Sequence, residues 1–145
     1  MPADSESVRQ QGIPSAFRLA TSDDWRALLR TRANVLVSGP QIALSAFIYA
    51  AQDEMREPIR SVNGSALSLC EGRTLILLDV DALDGSGQRR LIQWMDEPRN
   101  AGTQIISLAP IPLAPLVQTH RFAAELYYRL NVIYLEVLDS LSRLN

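Results

Sequence analysis

Apolar and polar positions alternate along this chain in blocks rather than singly. Asn34–Ser38 (N-V-L-V-S) is a short apolar run stopped by Gly39-Pro40, and it predicts a strand buried on both faces. Gln41–Met55 is rich in Ala, Leu, Ile and Phe, long enough for a helix and closed by Pro58. Ile59–Val62 predicts a short strand. Thr74–Asp79 (T-L-I-L-L-D) is a continuous apolar run of the kind found in central parallel strands. Gln88–Glu97 predicts an amphipathic helix, with Leu91, Ile92 and Met95 on one side and Pro98 ending it. Thr103–Leu108 predicts another strand, Phe122–Leu130 a helix, Val132–Leu135 a strand, and a last helix starts at about Glu136. Upstream, Ser22-Asp23-Asp24-Trp25 reads as a helix start, with Ser22 as cap and acids where the dipole favours them, and the helix runs to about Arg30.

Strands alternating with helices imply an α/β domain with a mostly parallel, doubly covered sheet. The polar stretch 1–14 reads as a loose arm and 15–145 as one domain, in keeping with a length of 145 residues. The arm has no apolar segment resembling a signal peptide. Ala33–Gln52 and Asn100–Thr119 are uncharged, but Gly39, Pro40 and Pro110, Pro112, Pro115 interrupt them, so each reads as a strand plus its following element rather than a membrane span. A cytoplasmic protein without membrane contact is the expectation.

Composition narrows the chemistry. The net charge of −2 gives no basic field for nucleic acid. Cys70 is the single cysteine and reads as a small buried apolar residue; His120 is the single histidine and reads as a surface or helix-start residue. All fourteen basic residues are arginine. The absence of lysine removes Schiff-base chemistry, lysine general bases and the lysine of a phosphate-binding loop.

In parallel sheets ligands bind beyond the carboxyl ends of the strands. Two such ends draw attention. Gly39, Gln41 and Ser45 follow the first strand, where a helix start can attract an anion or serve only as a turn. Asp79 and Asp81 end the central strand and can either hold a metal ion through water or cap the next turn.

Arg121-Phe122-Ala123-Ala124-Glu125-Leu126-Tyr127-Tyr128-Arg129-Leu130-Asn131-Val132 resembles the R-F-R-x-D-L-Y-Y-R-L-N-V segment of sigma-54-dependent transcriptional activators, the NtrC-like AAA+ ATPases also called bacterial enhancer-binding proteins. Pro58-Ile59-Arg60-Ser61-Val62-Asn63 resembles the family's P-F-V-x-V-N-C. Gly72-Arg73-Thr74-Leu75-Ile76-Leu77-Leu78-Asp79 resembles its G-G-T-L-F-L-D-E strand. Gln104-Ile105-Ile106 matches the strand leading to its sensor I. The similarity runs from about Val35 to Val132.

The resemblance implies a three-layer P-loop NTPase core of the AAA+ type, without the helical lid. It also implies that hydrolysis is lost. Aligned from Gly39, the family's lysine position holds Ser45, and two family glycines are Ile42 and Leu44. The sensor asparagine falls on Pro110. One family arginine becomes Ala123, while Arg121 and Arg129 remain as candidates for a subunit interface. Between Asn63 and Gly72 stand eight residues, too few for the family's sigma-54-contacting G-A-F-T-G-A loop. Gly39, Gln41, Ser45 and Asp79 are then a vestigial nucleotide site, with Asp79 a weak metal ligand. The implied role is a protein-binding or scaffold domain in transcription regulation with no resident cofactor, paired with an intact sigma-54 activator or with itself. The alternative is a domain that binds ATP or ADP weakly without hydrolysing it. A third reading comes from Leu77–Gly87, which resembles the phosphoacceptor strand and turn of a receiver domain, although the lysine of that site is lacking.

Overall fold

The structure, a computed structural model, describes residues 17–19 and 24–139. Among the described residues six strands form one sheet: β1 (Phe17–Leu19), β2 (Val35–Ser38), β3 (Ile59–Asn63), β4 (Thr74–Leu78), β5 (Gln104–Ala109) and β6 (Ile133–Asp139). Their order is β1-β6-β2-β5-β4-β3. The five strands from β6 to β3 are parallel, and β1 joins the edge antiparallel to β6. The helices are α1 (Trp25–Arg30), α2 (Gln41–Ala51), α3 (Gly85–Asp96), α4 (Ala114–Gln118) and α5 (Ala124–Leu130).

The sheet separates two apolar layers. On one face Trp25 and Leu29 of α1 and Ala43, Leu44 and Phe47 of α2 pack on Val35, Val37, Ile106 and Leu135. On the other, Leu91 and Trp94 of α3 and Leu126 and Leu130 of α5 pack on Leu36, Leu75, Leu77 and Ile105. Alternate residues of β2 and β5 therefore serve opposite layers, which is why these strands read as unbroken apolar runs. The result is the three-layer α/β core expected from the sequence.

Several helix ends have identifiable chemistry. Asp84 caps α3 by accepting the Gly87 N–H at 2.7 Å, so the helix starts at Gly85, three residues ahead of the sequence reading. The run that resembled a receiver turn is this cap. Asp24, not Ser22, stands at the N-cap of α1; Ser22 and the stretch 1–14 lie outside the described residues. Glu54, just past α2, ties that helix to α1. It receives Arg30 Nε at 2.9 Å and Arg26 Nη1 at 3.4 Å, while its carbonyl accepts from Arg32 at 2.6 Å.

Two expectations are corrected. Glu136 does not begin a helix; it lies within β6, whose Ile133–Glu136 pair residue by residue with Val35–Ser38. Leu135 and Val137 are buried while Tyr134 and Glu136 are exposed, the period-two pattern of a strand. Cys70 is exposed, because the short loop after β3 turns Leu67 and Leu69 rather than Cys70 toward the α3 layer.

Candidate functional site

The parallel register brings the carboxyl ends of β2, β5, β4 and β3 to one edge, where Gly39, Pro110 and Asp79 follow their strands and Asn63 ends its own. The chain leaves β2 toward β3 on one side, while β6 lies on the other, so the edge beside β2 is the point where strand order reverses.

Only Gly39 and Pro40 connect β2 to α2. Gly39 has φ 153°, and a Cβ there would stand 2.2 Å from the Val137 carbonyl oxygen and 2.7 Å from its Cγ2. The backbone is thus pressed against β6 at a spot only glycine can occupy. Its N–H is committed to the Ala109 carbonyl at 3.3 Å, and Pro40 has no N–H. A phosphate cradle needs consecutive backbone N–H groups turned into a concavity, and neither residue of this link has one free. What remains is the first turn of α2, which no side chain caps. Gln41 and Ser45 lie one turn apart on its exposed side.

Asp79 lies two strands away, about 10 Å by the spacing of neighbouring strands. It adopts the left-handed conformation, φ 51°, which aspartate tolerates better than most residues. Gly64 makes this turn possible. Its N–H donates to Leu78 O at 2.7 Å, and a Cβ on it would lie 2.2 Å from the Asp79 carbonyl oxygen. Asn63 Nδ2 donates to Asp79 Oδ2 at 3.3 Å. Burial raises the Asp81 pKa above its ordinary value, and the neighbouring Asp79 charge adds to the effect; Asp81 Oδ1 is buried without a partner. Among the described residues no three of His, Cys, Asp and Glu gather into a metal-binding group. Asp79 and Asp81 alone do not fit a resident metal ion.

The two arginines do not form one patch, for they sit at opposite ends of α5. Arg121 is exposed in the loop before the helix, and its backbone is pinned. Its N–H donates to Leu116 O at 2.8 Å, and its carbonyl accepts from the buried Gln88 side chain at 3.0 Å. Gln88 Oε1 also receives the Ala123 N–H at 2.8 Å, and its Nε2 reaches Leu83 O at 3.0 Å. Gln88 thereby joins the end of the Asp79 turn to the Arg121 loop. Nothing in the sequence pattern marked it. Arg129, in the last turn of α5, is half-buried and paired with Asp96 at 2.7 Å and Glu125 at 3.8 Å. It borders a groove of about 310 Å³ with Trp94, Asn100 and Ile105, at the opposite, amino edge of the sheet. His120 is exposed at φ 63°.

Phe122, Leu126 and Leu130, four residues apart, are all within 1% of full burial. Much of the segment carrying the sigma-54-activator resemblance is therefore a packing stripe on the α3 layer, from which Arg121, Glu125 and Tyr128 project to solvent.

No protein-family model matches the sequence, and no curated protein matches it either. Solved structures do. NtrX from Brucella abortus in complex with ADP superposes with a TM-score of 0.57 at 17% identity, over 83% of this chain and 37% of that one. NtrX from the same organism in complex with ATP gives 0.56 at 16% identity, over 90% and 38%. The P-loop NTPase domain of the sigma-54 transport activator from E. coli gives 0.57 at 18% identity, over 94% of this chain and 97% of that domain. The chain thus spans less than two fifths of the length of NtrX and nearly the whole E. coli domain. Its fold is the α/β core of the P-loop NTPase type seen in these structures.

Proposed function

We propose that this chain is a non-hydrolysing AAA+-type domain that acts by binding a protein of the same fold, either an intact sigma-54 activator or a second copy of itself. The observation that carries the reading is the Gly39-Pro40 link, in which one N–H is spent on β5 and the other does not exist. Phosphoryl transfer depends on positioned charge around the phosphates. Here the loop offers no cradle, the sequence has no lysine, and Asp79 and Asp81 do not make a metal centre. Arg121, exposed on a backbone fixed by Gln88, is the charged group best placed to meet a partner. Arg129 clasps α5 to α3 through Asp96.

A second reading, a weak nucleotide sensor, is favoured by the uncapped first turn of α2, whose free amides can receive an anion. NtrX has been solved with both ADP and ATP. A thermal melt with and without Mg-ATP and Mg-ADP separates the two. A ligand that binds only the native state stabilises it by about 2.7 kcal/mol at a hundredfold excess over Kd. We expect an unchanged melting temperature and no phosphate release. A rise of several degrees would transfer the assignment to the sensor. Pull-down of an intact sigma-54 activator, lost on Arg121→Glu, tests the partner.

A further inference from the structure

α2 reads Gln41-Ile42-Ala43-Leu44-Ser45-Ala46-Phe47-Ile48-Tyr49-Ala50-Ala51, eleven residues without a charge. It is apolar around most of its circumference, the composition of a helix covered on every side. The monomer covers one side, through Ala43, Leu44, Phe47 and Ala51. The other carries Ile42 at 64% exposure and Tyr49 at 77%, separated by Ser45 and Ala46 on the same stripe. The N-terminus has neither a side-chain cap nor an acidic residue in its first turn, whereas at the C-terminal end Arg26 Nη1 donates to the Ala50 carbonyl at 3.5 Å.

We propose that this face pairs with the same face of a second copy, the two α2 helices crossing antiparallel about a two-fold axis beside Ser45 and Ala46. An axis there is self-complementary. Ile42 of each copy meets Tyr49 of the other, and the small residues at the centre let the helices approach. Antiparallel pairing sets each helix's positive end beside the other's negative end. It also carries the exposed Asp53, one turn beyond Tyr49, past the uncapped amides of the second copy's α2, where a carboxylate is favoured. Since the face holds no charge, no like charges are forced together. The α2 helix is about 16 Å long at 1.5 Å per residue, so the contact belongs to the small class of interface.

The pairing is independent of any contact through Arg121, and the test keeps the two apart. Sedimentation velocity over a micromolar concentration series is expected to move the mass from the 16.1 kDa of the chain toward twice that value. Tyr49→Glu and Ile42→Glu, both at exposed positions, should hold the protein monomeric with an unchanged circular-dichroism spectrum. Tyr49→Phe and Arg121→Glu should leave the dimer intact, and Asp53→Asn should weaken it several-fold. With Cys70→Ser, the Ser45→Cys variant should form an inter-copy disulfide on mild oxidation. A wild type that stays monomeric throughout overturns the proposal, including one that captures a different chain through Tyr49. So does a dimer that survives Tyr49→Glu, or one that Arg121→Glu dissolves while Tyr49→Glu does not.

Discussion

Gly39 and Asp81 hold opposite kinds of tension at the carboxyl edge. Gly39 is a steric constraint: a methyl group at 2.2 Å from a β6 carbonyl, at φ 153°, must displace either the strand or the link. Gly39→Ala should therefore cost about 3 kcal/mol or more, measured by urea unfolding, the range for strain at a special backbone position combined with a core clash. Asp81 is electrostatic. Its folded pKa is raised by burial and by Asp79, so ionisation works against the fold. That penalty is absent below the ordinary value of 3.8 and develops as pH rises through the folded value. Asp81→Asn should raise the melting temperature at about pH 7, with the gain vanishing at about pH 3. The sequence placed both residues at strand ends. It did not show that Gly39 is pinned by Val137, a contact made across nearly a hundred residues of chain.

Elements whose burial is decided locally were legible, and those decided by distant partners were not. β2, β4 and β5 announce themselves as apolar runs, and α3 by its apolar stripe and the Pro98 stop. β6 was half-seen because Glu136 and Asp139 interrupt its apolar residues; the pairing with β2 makes it a strand. β1 was missed for the same reason, since three residues alongside β6 carry no pattern of their own. Gln88 shows the limit most clearly. A buried glutamine on a helix beside Arg89 and Arg90 looks like a solvated residue until its partners Leu83, Arg121 and Ala123 come together. Gln88→Ala strands buried backbone groups at both ends of that bridge, so a loss of about 2–4 kcal/mol by chemical denaturation is expected. Asp84→Ala, which removes only the α3 cap, should cost about 1 kcal/mol. The α1–α2 clasp has its own pH signature. Burial pushes the Glu54 pKa up, but hydrogen bonds and charge from Arg30 and Arg26 outweigh it and hold the carboxyl below its ordinary 4.5. Its stabilisation is present above that value and lost as pH falls through the folded one, so Glu54→Gln should destabilise near neutrality and converge with wild type in acid.

At the scale of the whole molecule, the sheet is shared property. Val35 and Val37 belong to the α1–α2 layer, whereas Leu36 between them belongs to the α3–α5 layer. Neither layer can lose its packing without exposing the face of a strand that the other layer also needs. The chain carries its own reporters for this coupling, because its two tryptophans lie in different layers, Trp25 against Phe47 and Trp94 beside Leu91. Trp25→Phe leaves fluorescence from the α3 side alone, and Trp94→Phe leaves it from the α1 side alone. In the Trp25→Phe background, Phe47→Ala should cost about 3–5 kcal/mol, the usual range for emptying a buried aromatic site. That loss should register fully at Trp94, across the sheet. Conversely, in the Trp94→Phe background, Phe122→Ala in the α3–α5 layer should shift the Trp25 transition by as much as it shifts circular dichroism. Coincident curves in both experiments mean one cooperative unit. If emptying the Phe47 site moved the Trp25 signal in the Trp94→Phe background while the Trp94 transition in the Trp25→Phe background stayed in place, the two layers would unfold separately, and the sheet would not transmit packing from one face to the other.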